Sequence, residues 1–143
     1  MIAEIVSIGT ELLMGQIVNT DAQYLSRRLQ SLGVSVYYHT TVGDNPARMR
    51  DALQTALSRS DLVVTTGGLG PTQDDLSKEI AAELLGLPMR FDEASWDAIF
   101  ARFARMGREC TENNRKQAMF AEGATVLPNA CGTAPGCMLE QGG

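Results

Sequence analysis

The chain has 143 residues, 44% of them apolar and 20% charged, with a formal net charge of −5. That is enough chain to bury a real core, in the proportions of an ordinary soluble globular domain. The acidic balance and the lack of a Lys/Arg cluster argue against nucleic acid as a partner, though not against a small phosphorylated ligand held by backbone amides or bridged by a divalent cation.

Along the chain, Ile2 to Ile8 is short and rich in Ile and Val, and it ends at Gly9. A near-continuous apolar strand of this kind suits a sheet covered on both faces. A helix follows, with Ala22, Leu25, Leu29 and Leu32 on one face and Gly33 after its end; Thr20 with Gln23 three residues on reads as its capping box. VSVYYHTTV (34–42) predicts a second strand. Asn45 then caps a helix that starts at Pro46 and buries Met49, Leu53 and Leu57. DLVVTT (61–66) predicts a third strand, central in the sheet. VVTTGGLGPTQDD (63–75) leads from it into a helix opened by Asp74 and Asp75, with Leu76, Ile80 and Leu84 facing inward and Gly86 beyond it. Asp92 caps a fourth long helix with the stripe Trp96, Ile99/Phe100, Phe103 and Met106. A shorter helix spans 113–120, and ATVLPNACGTAPGCMLE predicts two short strands about a Gly/Pro loop. This alternation predicts a single α/β domain over 1–143: three layers, α/β/α, with a mainly parallel sheet. The ending EQGG, soon after a strand, predicts a fragment of something longer.

The three cysteines, Cys110, Cys131 and Cys137, are odd in number and lack CxxC spacing, so neither a disulfide framework nor a zinc site is suggested. The single histidine, His39, removes most Ser-His-Asp schemes. The start MIAEIVSIG lacks the basic-then-apolar order of a signal peptide, and no apolar run nears the roughly 18 residues of a membrane span. A cytoplasmic protein without a membrane partner is expected.

Ligands of parallel α/β sheets collect where the strands end and helices begin. Four polar loops fall there: GTELLMGQIVNTD, GDN, TTGGLGPTQDD and GTAPG. Gly67, Gly68 and Gly70 permit backbone shapes closed to other residues, and their amides form a donor set for an anion. A strand-to-helix turn that needs glycine explains the same residues. The loop is neither a Walker A motif nor a dinucleotide fingerprint. One of Asp74 and Asp75 is explained as a helix cap; two beside an anion loop are reconciled by a divalent cation between carboxylate and phosphate. Asp44 and Glu11 read equally as turn residues and as metal ligands. ENNRKQA (112–118) is the one concentration of amide and basic groups. Asn113, Asn114, Arg115, Lys116 and Gln117 could meet a phosphate or sugar there, or stand on a solvated helix start.

Together IGTELLMGQIVNTDAQYL, TVGDN, SDLVVTTGGLGPTQDDLSKE, TENNRKQAMF, GATVLPN and GTAPG, in order over nearly the whole chain, resemble the CinA family in its N-terminal molybdopterin-binding-like domain. The glycine loop with its acidic pair is shared with the wider group of MogA, MoaB and MoeA proteins. The resemblance implies the MogA-like three-layer fold and a divalent-metal-dependent nucleotide pyrophosphatase acting on ADP-ribose or a related diphosphate. On that reading Asp44 and Asp75 are catalytic, Glu11, Asp44, Asp74 and Asp75 hold Mg²⁺, Mn²⁺ or Co²⁺, and Gly67, Gly68, Gly70, Thr72, Asn114, Arg115 and Lys116 bind the substrate. The alternatives are a pterin-binding, adenylyl-transferring protein of molybdenum-cofactor synthesis and a non-catalytic nucleotide-binding module. The resemblance also implies a homo-oligomer and a C-terminal domain outside this chain. Ser77 replaces the threonine usual after DDL and keeps its hydroxyl.

Overall fold

A strand with every residue from Ala3 to Ile8 buried organises the first half of the chain. The computed structural model describes residues 1–141 and divides into two units, Met1–Gly68 and a second that starts at Leu69.

In the first unit, β1 (Ile2–Ile8) leads through a four-residue helix, α1 (Thr10–Leu13), to α2 (Thr20–Ser31), β2 (Ser35–Val42), α3 (Pro46–Arg59) and β3 (Leu62–Thr66). All pairings are parallel and the order is β2-β1-β3. The central strand is therefore β1. The apolar content of β3 had pointed there, but its residues are all partly exposed, whereas successive side chains of β1 point to opposite faces and are covered on both.

Polar contacts show what covers each face. Asn19 Nδ2 donates to Ser7 Oγ at 2.8 Å, and Ser26 Oγ lies 2.9 Å from His39 Nε2, so α2 sits on the face that carries Ser7 and His39. Glu4 belongs to the other face. Arg59, the last residue of α3, donates to it through Nε and Nη2, both at 2.8 Å, while Thr40 Oγ1 donates at 2.7 Å. The Arg59 guanidinium also lies 3.9 Å from the Tyr38 ring centre. Helix, parallel sheet and helix make three layers, as the alternation of elements required.

Local chemistry sets the helix ends, with one change of cap from expectation. Asn19, not Thr20, caps α2: its Oδ1 accepts from the Ala22 amide at 3.1 Å, and Thr20 is already inside the first turn. Asn45 caps α3, with Pro46 in the first turn. Met49, Leu53 and Ala56 form its buried stripe; Leu57 is 42% exposed because the 3.6-residue period carries position 56, not 57, over the sheet. Leu32, just past α2, is likewise exposed.

The second unit contains α4 (Ser77–Leu84), β4 (Met89–Phe91), α5 (Glu93–Arg105), a 3-10 helix (Glu112–Ala118), β5 (Met119–Ala121), β6 (Thr125–Leu127) and β7 (Gly136–Met138). β4 pairs with β5 and β6 with β7, both antiparallel. Asp92 caps α5, its Oδ2 accepting from the Ser95 amide at 2.8 Å. Ile99, Phe103 and Ala118 are buried together, with Phe91, Trp96 and Cys110 packed against them; Phe100 and Met106 leave that stripe for solvent. Lys78, buried on α4, donates to the Gln117 carbonyl at 2.9 Å from above the Phe120 ring. Burial pushes its ammonium below the ordinary lysine range. Among the described residues no helix is long and apolar enough to cross a membrane.

The Arg59 bonds, against the opposing effect of burial, hold the Glu4 carboxyl below its usual range. Such a group stabilises the fold above the unfolded-state value and loses that contribution as pH falls through its folded value. Replacing Arg59 with methionine strands the carboxylate in the sheet and should destabilise the fold near neutrality. In that variant the Arg59 bonds are gone and burial, opposed in part by the Thr40 hydroxyl, raises the Glu4 pKa above its wild-type value. Thermal unfolding should then show the gap between wild type and Arg59→Met narrowing from about pH 7 to about pH 4; a gap constant with pH would refute the assignment.

Candidate functional site

The carboxyl ends of β1 and β2 turn directly into polar loops, and a hydrogen-bonded pair closes them. Asp44 Oδ2 accepts from the Thr10 amide at 3.1 Å and from Thr10 Oγ1 at 2.9 Å, while Thr10 Oγ1 accepts from the Asp44 amide at 3.2 Å. Gly43 is buried beneath the pair, and a Cβ there would come within 3.2 Å of Thr10 Oγ1. Glu11 opens α1 and folds back on Gly9, where a Cβ would stand 2.6 Å from its Oε1. The first unit thus gathers Asp44, Thr10 and Glu11 at the ends of two strands.

The glycine loop begins at the end of β3. Gly67 and Gly68 both have positive φ, 87° and 67°. A side chain at Gly67 would be driven into the Ile8 carbonyl, whose carbon lies 3.1 Å from the Cβ position. This glycine is therefore required by close packing on β1 as well as by its backbone angle.

In the second unit the loop winds around Asp75. Its Oδ2 accepts from the Thr72 amide at 3.0 Å and from Thr72 Oγ1 at 2.6 Å. The Gly70 amide also donates to the carboxylate, and a Cβ at Gly70 would stand 2.6 Å from Oδ2. From outside, Lys116 Nζ donates to the Thr72 carbonyl at 2.6 Å and to the Asp75 carbonyl, with Glu79 Oε1 3.9 Å away. Burial works against ionisation of Asp75, but the Thr72 and Gly70 bonds and the Lys116 charge overcome it and hold the carboxyl below its usual range. Asp75 serves the loop, not the helix: α4 starts at Ser77, its N-cap position is Leu76, and no side chain caps it. Asp74 is exposed beside it. An open cavity of about 460 Å³ lies against this loop, lined by Pro71, Thr72, Gln73, Leu76, Glu112, Asn113 and Lys116.

The other residues of the NNRK segment have partners of their own. Asn114 is buried; its Nδ2 donates to the Thr111 carbonyl and hydroxyl at 3.1 and 3.0 Å, and its Oδ1 accepts from Gln117 Nε2 at 3.2 Å. Arg115 lies 4.3 Å from the Phe91 ring centre and 5.2 Å from that of Trp96, with Nε 3.2 Å from Glu112 Oε1. In the second unit, then, Thr72 and Lys116 line one cavity, and Arg115 packs on aromatic rings. Thr10 and Glu79 are not among the residues the sequence points to. Thr10 carried no local signal, because its partner stands 34 residues away.

Among the described residues no three His, Cys, Asp or Glu side chains form a metal cluster. The carboxylates present suit a cation such as Mg²⁺, which takes one or two carboxylates and fills its remaining positions with water and phosphate oxygens, better than one that needs an all-protein cage. Asp75, kept ionised and engaged by Thr72 through one oxygen, has that character.

A parallel sheet with polar loops at its strand ends, followed by a glycine loop folded on an aspartate, defines the class. Residues 4–143 match the family described as "Probable molybdopterin binding domain". The chain is 59% identical over all 143 residues to the CinA-like protein of Dictyoglomus turgidum, covering 35% of that protein. It also resembles the crystal structure of the protein CinA, of unknown function, from Thermoplasma acidophilum: TM-score 0.85, 34% identity, covering 95% of this chain and 79% of that one. A molybdopterin biosynthesis protein from Mycobacterium abscessus aligns with TM-score 0.56 and 25% identity, over 74% of this chain and 65% of that one. The chain belongs to the CinA family, in its molybdopterin-binding-like domain, and spans about a third of the length of the curated relatives it matches.

Two outcomes test the loop. Gly67→Ala should destabilise far more than Gly86→Ala in chemical denaturation: Gly86 also has positive φ, at 68°, but open space around it, so only the backbone cost of about 1–2 kcal/mol applies there. Equal losses would remove the packing argument. By hydrogen exchange, the Thr72 amide should stay protected from about pH 7 to about pH 4 and lose protection as pH falls through the lowered pKa of Asp75. Asp75→Ala should expose it at every pH.

Proposed function

We propose that this domain binds a phosphorylated pterin of the molybdopterin class. Its phosphate would meet the Gly70–Asp75 loop, and its ring would lie in the open cavity against Thr72. The observation that carries this reading is the loop itself: its backbone is held in shape from inside by Asp75 and from outside by Lys116, and it borders a cavity of about 460 Å³. A site so preorganised binds without the cost of ordering a mobile loop. The family match over residues 4–143 supports the ligand class. Thr72 and Asn113 offer hydrogen bonds at the cavity wall, and Gly67 and Gly68 remain proposed phosphate contacts.

A second reading, hydrolysis of the diphosphate of ADP-ribose, is favoured by the parallel treatment of two carboxylates. Asp44 and Asp75 each engage the hydroxyl and amide of one threonine through Oδ2. A divalent cation, when bound, would supply charge neutralisation at phosphorus and an acidified water. Asp44 and Asp75 would orient that water and its proton. Lys116 would act by holding the loop's carbonyls, with Asn114 and Arg115 as further proposed contacts. Glu11 and Asp74 are the additional proposed cation ligands. Self-association and a further domain belong to the same proposal; the coverage of the relatives supports the latter.

Calorimetric titration with molybdopterin and with ADP-ribose separates the readings. Pterin binding at least about tenfold tighter, weakened by Thr72→Val, is expected. ADP-ribose binding as tight, with AMP released only when Mg²⁺, Mn²⁺ or Co²⁺ is present and lost in Asp44→Ala/Asp75→Ala, would replace the first reading with the second. No binding of either ligand would overturn both.

A further inference from the structure

The second unit holds a cavity that the glycine loop does not use. About 330 Å³ in volume, it lies between one face of α5 and the β6–β7 hairpin, and it shares no lining residue with the cavity beside Thr72. Ala94, Ala98 and Ile99 on α5 and Val126, Pro128 and Pro135 on the hairpin side make its apolar surface.

The hairpin loop comes to this cavity already shaped. Asn129 Oδ1 accepts from the Cys131 and Gly132 amides at 2.9 and 2.8 Å, and its Nδ2 donates to the Ala134 carbonyl at 2.9 Å. Gly132 is needed for this, since a Cβ there would stand 2.8 Å from Asn129 Nδ2. Arg102 ties the loop to α5, donating from Nη1 to the Ala130 carbonyl at 2.9 Å.

The charges at the cavity are two arginines against one carboxylate. The Asp92 carboxylate is engaged by the Ser95 amide. Arg102 and Arg105 both line the space, and Arg102 Nε is shut away from solvent with no hydrogen-bond partner. Complementing the helix dipole accounts for arginines in a last turn. It does not account for an under-satisfied guanidinium beside an apolar cavity. With Nη1 committed to Ala130 and Nε shut away from solvent, Nη2 remains to meet a ligand. A carboxylate there takes a charge-assisted hydrogen bond from Nη2.

We propose that this cavity is a second ligand site, for a small organic carboxylate with a flat apolar body: the carboxylate seats on Arg102 with Arg105 beside it, and the body lies between Ala98 and the hairpin loop. The volume falls at the small end of ordinary ligand pockets, about 300–1,000 Å³.

The test uses 2-naphthoate as the probe and isotope-labelled protein in solution NMR. Binding should move the Ala98, Gly132 and Thr133 amides and leave the Thr72 amide in place. Ala98→Phe, which fills the cavity from a solvent-facing helix position, should weaken 2-naphthoate at least about tenfold and leave the molybdopterin and ADP-ribose titrations unchanged. The neutral analogue 2-naphthalenemethanol should bind about tenfold more weakly than the acid. Three results would each overturn the proposal: no movement of those amides, Ala98→Phe binding as well as wild type, or equal affinity for acid and alcohol. None of them bears on the glycine-loop reading.

Discussion

The structure of the first unit depends on putting a carboxylate where water cannot reach. Glu4 stands on a strand buried on both faces, and an isolated charge there would be untenable. Arg59 reaches back from the end of α3 to offer two parallel N–H groups, Thr40 adds a hydroxyl from β2, and Tyr38 shields the guanidinium. One group thus joins the middle strand, its neighbour and the helix above them. An apolar residue at Glu4 would pack without specifying which helix end belongs over which strand; the paired geometry admits one arrangement.

The same economy appears in the loops. Asp44 and Asp75 are used alike, each folding a turn around a threonine by taking both its hydroxyl and its amide. A carboxylate held in this way is fixed in direction and engaged through one oxygen. Lys116, bound to two carbonyls of the Thr72–Asp75 turn, contributes by rigidity, and Arg115 by packing on Phe91 and Trp96.

Elements set by short-range chemistry were legible in advance. Asn45 followed by Pro46, Asp92 before Glu93, and Gly33 and Gly86 after their helices mark boundaries that hold to within a residue or two. Taking Leu57 for a buried position and β3 for the middle strand required knowing what lies across the chain. Taking Thr20 for the cap that Asn19 provides is a one-residue slip between two neighbouring cap-forming side chains. The strand β4, three residues long, has too little sequence to carry a period.

The sequence by itself determined the alternation of strand and helix, the three layers, the glycine loop and its acidic neighbours, because these rest on periodicity, caps and backbone permissions that act within a few residues. Through whole motifs it also determined the family. Only the tertiary structure decided which strand is central, that Asp44 answers to Thr10 across 34 residues of chain, and that Asp75 shapes the loop and does not cap a helix. It alone showed that Gly67 is demanded by the Ile8 carbonyl and that the hairpin loop at Asn129 walls a cavity. Each of these turns on two groups far apart in the chain meeting at hydrogen-bond or van der Waals distance, and no local pattern encodes such a meeting.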